Sequence, residues 1–484
     1  MKNLFKALSI LLAISMVFCI SGCKKKGTSD EGSYYDDSDF FADSVEVVSD
    51  GATDSDANTA SDASKNGSKG SSGTTSKTTT TKSTEGKSWK QVLSGMPSRL
   101  KNTTIEVYNW NAANEYTGAL KVIENFTKQT GIKVKWTTES YENYLSKLAS
   151  RVAAGNAPDL VRLCNPLPTT LTSIQSIDAM KYDFSDKAWD SWAMNSYTFN
   201  NKTFGVSLSG THISSPRLLA YNKSLIRKYD LDDPYQLWKN GKWTYDKLMA
   251  ISQDFKDASG NEYAITGFGT GIELVGIAGT VRYDGQKYVS TMGDSNMLES
   301  LQRICDDMNT KKLYSGNYNT EGMDSGKLLF FLSSGIQMRR MNSYFQTLKS
   351  ANSIGAVPLP TYNGKDLGTF YGELEAYGLA KGAKNPEATP YFLRYFLDSS
   401  NYDMDAFFAN SQCREVYDYL MSQNKKTWTT GIIDHEGFTK IADTGIEAPI
   451  YNATGAQVKS AIDKVKPLVE NRAKNLNDIL AKIK

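Results

Sequence analysis

Histidine is almost absent from this 484-residue chain, occurring only as His212 and His435. A zinc centre or a histidine-based triad would have little to build on. The five cysteines (19, 23, 164, 305 and 413) are widely spaced, so neither a disulfide framework nor a CxxC metal pattern is visible. Excess charge of one sign is also missing: 55 basic residues face 53 acidic ones, a formal net charge of +2. Lys and Arg are spread through the chain rather than gathered into a stripe, which argues against a nucleic-acid partner. No P-loop, GxSxG elbow, HExxH or EF-hand loop is present. "DASGNEY" (257–263) offers oxygen ligands without the twelve-residue calcium pattern and reads as a turn between a helix and a strand. Neither a metal nor a cofactor is expected.

Long apolar runs are equally scarce. The one that stands out, "ALSILLAISMVFCI", lies within the first 23 residues, follows Lys2 and Lys6, and is too short for a comfortable membrane span. It ends in "ISGC", where Ser21 and Gly22 precede Cys23. That ending resembles the bacterial lipobox, which implies cleavage, lipidation of Cys23 and attachment to the outer face of a membrane. Each buried methylene of such an anchor adds about 0.8 kcal/mol. Residues 24–88 are low in complexity, first acidic and then rich in Ser, Thr, Gly and Lys. They bury too little apolar surface to offset ordering entropy, and as a flexible tether they reach about 45 Å.

What the chain does have is aromatics, 27 Tyr, 19 Phe and 8 Trp, with every Trp after residue 88. From residue 89 the texture is globular, and the remaining length suffices for two or three domains. "TIEVYNW" (104–110) alternates as a strand. The helix "TGALKVIENFTKQTG" follows, with Ala119, Ile123, Phe126 and Thr130 in helical spacing and Gly131 as its stop. "IKVKW" is a second strand. Ser140 can cap the next helix, in which Tyr141, Tyr144, Leu145, Leu148 and Val152 share a face. "APDLVRL" (157–163) is a third, buried strand. This β-α-β-α-β order predicts a parallel sheet covered by helices, with ligands outside the carboxyl ends of its strands. Trp110 and Asn111 stand at the first such end, and Asn165 just past the third. Packing of Trp110 under the following helix explains its presence equally well.

Several collinear segments are similar to the extracellular solute-binding proteins of sugar-importing ABC transporters, the class that includes maltose-binding protein. They are "YNW" with "FTKQTGIKVKW", "RVAAGNAPDLVRL", "YNK" (221–223), "WTYDKL" (243–248), "SSGIQMRRMNSY" (333–344), "GAVPLP" (355–360) and "AKNPEATPYFLRYFL" (383–397). The resemblance implies an α/β, two-lobed periplasmic-binding-protein-like fold with interleaved segments and a hinge. Lobe one would take about 104–213 and 370–412, and lobe two about 216–368 and 413–484. It further implies a monomeric, lipid-anchored component that captures a carbohydrate in the interlobe cleft and hands it to ABC permease subunits, without catalysis.

Carbohydrate recognition combines aromatic platforms with carboxamide, carboxylate and guanidinium groups. The resemblance places Trp110, Asn111, Asn165, Ser215, Arg340, Tyr344, Tyr371, Glu373 and Tyr451 at the cleft, with Tyr344 as the foremost stacking residue. Ser215 departs from the pattern, which carries an acidic group there. Trp189 and Trp192 read as partners on a short helix, one of them in the core, and Trp243 as packing at a helix start behind the N-cap Thr244. Two other readings stay open: a glycan-binding surface lipoprotein without a transporter, and a carboxylate-dependent glycoside-active enzyme. For the latter, Glu373 and Glu375 would share one face of a strand.

Overall fold

The structure is a computed structural model. It describes residues 86–483 except 117, 141–142, 165–167, 210–214, 268–271, 278–280, 285, 293, 316–318, 335–344, 366, 368–369, 423–426 and 429–452. The signal segment, Cys23 and nearly all of the low-complexity stretch lie outside the described residues. Among the described residues, regular structure begins at the short helix Trp89–Ser94, whose capping box joins Ser88 and Gln91. Trp89 meets Tyr395 edge to face at 4.8 Å, which fastens this helix to the domain.

The first sheet starts as its periodicity predicts. Strand β1 (Thr104–Asn109) leads through helix α1 (Ala119–Thr130) to β2 (Lys133–Thr138), and helix α2 (Tyr144–Ala153) leads to β3 (Leu160–Cys164). Both β2 and β3 run parallel to β1, with Val107 opposite Trp136 and Tyr108 opposite Val161. Helix α1 ends where Gly131 takes a left-handed φ of 75° and its N–H returns to the Thr127 carbonyl. Ser140 does not cap α2: Asn143 occupies the cap position, and the Ser140 hydroxyl accepts from the Asn143 side chain instead. The short β4 (Ile174–Gln175) closes one edge of the sheet.

The chain then enters a second sheet through its central strand, β5 (Ser215–Asn222). Around it stand β6 (Ile265–Gly267), β7 (Phe330–Ser334), β8 (Ile354–Pro358) and β9 (Phe370–Glu373). β5 is antiparallel to β7, β8 and β9, and β6 lies parallel to β7. Gly355 faces Tyr221 across the β5–β8 pair, where a Cβ would fall 2.3 Å from the tyrosine ring. Glycine there is a packing requirement. One residue after β9, strand β10 (Glu375–Ala380) belongs to the first sheet, antiparallel to β3 and β4. The first sheet is thus ordered β2-β1-β3-β10-β4. A final strand, β11 (Thr427–Trp428), pairs with β9.

The covering helices follow from apolar faces and caps. Helix α3 (Tyr245–Ser259) starts at Thr244, whose hydroxyl accepts from the Lys247 N–H, and stops at Gly260 with φ 74°. Trp243 packs at its start, buried, with its indole N–H donating to the Pro358 carbonyl at 2.9 Å. Helix α4 (Ser295–Cys305) joins the same core. Helix α5 (Thr389–Phe396) lays Phe392 and Phe396 on the first sheet against Phe126 and Trp136. Helix α6 (Ser411–Ser422) puts Cys413, Val416 and Leu420 against Leu218, Phe331 and Ile354 of the second. Helix α7 (Val458–Leu480) carries Asn477, which exchanges two hydrogen bonds with the backbone of Tyr288 at 2.7 and 2.9 Å. Among the described residues, no helix is long and apolar enough to cross a membrane.

Two expectations change here. Trp189 is not on a helix with Trp192; it pairs with Leu208 in an isolated bridge and is buried, whereas Trp192 lies on the helix Ser191–Ser196 and is only half-buried. Glu373 and Glu375 do not share a strand face either. They end and begin strands of different sheets, and Glu375 is buried rather than solvent-facing.

Candidate functional site

At the carboxyl edge of the first sheet, β1 ends in Asn109 and the chain turns through Trp110 and Asn111. The turn is built by side chains standing in for backbone. Asn109 is fully buried, and its Oδ1 accepts the Asn111 N–H at 2.9 Å. Glu115 takes the Ala112 N–H at 2.7 Å and the Asn111 amide at 2.8 Å. The indole of Trp136, on the adjacent strand, donates to the Asn111 carbonyl at 2.9 Å.

Beneath this turn lies Arg162, projecting from β3 and 1 % exposed. A charge so buried must be paired. Its Nη2 lies 2.7 Å from Oε1 of Glu375, itself 2 % exposed and at the start of β10. Nη1 donates to Oδ1 of Asn111 at 2.5 Å and to the Tyr116 hydroxyl at 2.6 Å. The guanidinium carbon sits 4.1 Å from the centre of the Trp110 ring, a cation–π distance. Trp110 is half-buried and meets the Tyr144 ring edge to face at 5.0 Å. Tyr144 is stacked on Tyr108 at 4.6 Å, and its hydroxyl donates between the Tyr108 and Arg162 carbonyls. Burial pushes the Tyr144 and Tyr377 phenols well above the ordinary tyrosine range, so both stay neutral beside the guanidinium.

The second sheet carries a comparable pair at the end of β5 that follows the crossing. Arg217 Nε lies 3.5 Å from Oε1 of Glu273, and both side chains are 6 % exposed. On the same edge Ser215 pairs with Glu373, and Pro216 with Tyr371. The predicted residues 215, 371 and 373 are therefore brought together in backbone register, while their side chains lie outside the description. Asn165, Arg340, Tyr344 and Tyr451 fall outside the described residues altogether, as does Tyr141. Trp110 and Asn111 are placed together at the strand end. Both are engaged with the protein itself, Trp110 with Tyr144 of α2 and Arg162 of β3 rather than with the helix that directly follows it.

Sequence reasoning missed Arg162 and its link to Glu375. A signal existed: a charged residue inside the otherwise apolar "APDLVRL" strand requires a buried partner.

The family profile described as bacterial extracellular solute-binding protein matches residues 121–407, more than half of the chain. No curated protein sequence matches. Among solved structures, an ABC substrate-binding protein of Listeria monocytogenes in complex with cycloalternan aligns with a TM-score of 0.57 and 15% identity, covering 76% of this chain and 98% of that one. The GacH receptor of Streptomyces glaucescens, solved unliganded and with acarbose, aligns at TM-score 0.58 and 15% identity, over 76% and 98%. The sugar-binding protein MalE of Xanthomonas citri aligns at 0.55 and 15%, over 78% and 98%. The expected α/β, two-lobed architecture with interleaved segments is the fold of this chain. With one sheet on either side of the Leu374 crossing and its sequence matched by the family profile over 121–407, the chain belongs to the bacterial extracellular solute-binding proteins.

Proposed function

We propose that the chain is the substrate-binding component of an ABC importer. It captures a carbohydrate between a lobe built on the first sheet (about 104–213 and 370–412) and one built on the second (about 216–368 and 413–484). Cleavage before Cys23 and lipidation of that residue hold it, as a monomer, on the extracytoplasmic face of the membrane, with residues 24–88 as the tether between the lipid anchor and the folded domain, which hands the solute to the permease. The observation that carries this reading is the edge at Trp110 and Asn111. There a half-buried indole and a carboxamide stand at the carboxyl ends of parallel strands, in a family whose solved relatives were captured with cycloalternan, acarbose and maltose. Asn165, Ser215, Arg340, Tyr344, Tyr371, Glu373 and Tyr451 are proposed to complete the site, with Tyr344 stacking on the sugar opposite Trp110.

The test is calorimetry of the mature protein with maltose, cycloalternan, acarbose, D-mannitol and lacto-N-biose, the ligands named for the related structures. At least one should bind without being hydrolysed. Trp110→Ala and Tyr344→Ala should each weaken it about tenfold or more, the scale of losing an aromatic anchor, while the melting temperature holds. Release of reducing sugar would overturn the reading, as would equal affinity in both variants.

A further inference from the structure

Arg162 is not among the residues that the family resemblance points to. Yet it touches Trp110, Asn111 and Tyr116 of the strand-end turn and also the first residue after the crossing between the sheets. One guanidinium branch reaches Glu375, the other reaches Asn111 and Tyr116, and the plane lies over Trp110 at 4.1 Å. A lysine could offer charge there, but not two branches and a stacking plane at once. We propose that Arg162 is a positioning residue for solute binding, which locks the Trp110 ring and the Asn111 carboxamide to the crossing carboxylate Glu375. This rests on the carbohydrate-binding reading above.

The physical reasoning is one of pre-organisation. Trp110 is half-buried, so the angle of its ring depends on the groups that touch it. The turn that carries it has no regular strand or helix to fix its angle until the 3₁₀ turn Ala113–Glu115. Two neighbours bracket the indole: the Tyr144 edge at 5.0 Å and the Arg162 cation at 4.1 Å. The cation is in turn aimed by Glu375, whose backbone pairs with Cys164 on β3 and lies one residue from Glu373 of the other sheet. Ring, carboxamide and crossing thus share one rigid polar joint. A platform held this way loses less freedom when a sugar docks on it.

The experiment uses the full mature chain and two variants. In Arg162→Met/Glu375→Gln both charges leave together, so neither remains buried and unpaired. In Arg162→Lys the charge beside Glu375 stays and the stacking plane goes. The emission of Trp110 is isolated by subtracting the Trp110→Phe form of each background, without any ligand. The tightest-binding sugar of the panel above is titrated in parallel. In both variants the Trp110 emission should move to the red and become more open to acrylamide quenching. Affinity should fall about tenfold while the melting temperature stays within a few degrees. Unchanged Trp110 emission overturns the proposal, and so does shifted emission with unchanged affinity. If the double variant does not fold, Arg162→Lys decides the matter alone, and wild-type behaviour there overturns it. If no sugar binds the parent protein, the functional reading fails, and the emission result by itself upholds or overturns the positioning role.

Discussion

Glu373 and Glu375 are separated by Leu374 alone, yet Glu373 pairs with Ser215 in one sheet and Glu375 with Cys164 in the other. The return crossing between the sheets is therefore a single buried residue. Domain closure in folds of this kind concentrates its torsional change in a few such positions. Here Leu374 is also held from outside: the Tyr197 hydroxyl donates to its carbonyl at 2.6 Å. Tyr197→Phe removes that hydrogen bond and should cost about 0.5–1.5 kcal/mol, the net worth of a typical intramolecular one. Urea denaturation measures it, and a loss near zero would mean that the bond does not restrain the crossing.

The buried pair of Arg162 and Glu375 predicts a particular non-additivity. Glu375→Ala leaves the guanidinium without its carboxylate and should cost about 3–5 kcal/mol, whereas removing both charges together should cost much less. Equal denaturant midpoints for the single and double variants would refute this.

Gly355 makes room for the Tyr221 ring in the middle of the second sheet. Gly355→Ala would bring a methyl to 2.3 Å from that ring. Neither β5 nor β8 can move aside without breaking its ladder, so the change should lower stability by about 1–3 kcal/mol, as overpacking does. Adding Tyr221→Phe should not relieve it, because the clash is with ring carbons and not with the hydroxyl. Melting curves of the two variants test both statements.

Cys305 and Cys413 are free and fully buried, and burial pushes both thiols up to about 12. The thiolate is the nucleophile that attacks an alkylating reagent, so at pH 8 neither should react in the folded protein. Both should react once denaturant is added. Mass spectrometry after alkylation locates the labels, and labelling of either residue in the native protein would contradict the packing.

The first half of the first sheet was legible because its signals are local. Apolar alternation set β1 and β2, a short buried run set β3, and Gly131 ended α1 where a left-handed residue was needed. Thr244 capped α3 for the same reason. The placement of Trp110 and Asn111 at a strand end followed from that order. The joint beneath them did not, because Arg162 and Glu375 lie far apart in the chain and meet only when β10 inserts beside β3. Glu373 and Glu375 misled for a related reason. Two carboxylates at i and i+2 imply one face only if a single strand continues through them, and here the chain changes sheets between them. Trp189 shows the limit of spacing as well: Trp192 follows three positions later, but the helix starts after Asp190, which caps it.

Helix α7 has a consequence for how the molecule comes into being. Its 23 residues span about 35 Å, bind Tyr288 through Asn477, and are followed by Ile483, whose carbonyl accepts from Asn200. Helix α7 and Ile483 thus fasten segments that precede them by 189 and 283 residues, just as β10 inserts between β3 and β4 from far along the chain. Native structure of this kind arrives late and all at once, with much loop closure to overcome first. Nascent chains that have not yet reached helix α7 should therefore remain open to proteases and chaperones.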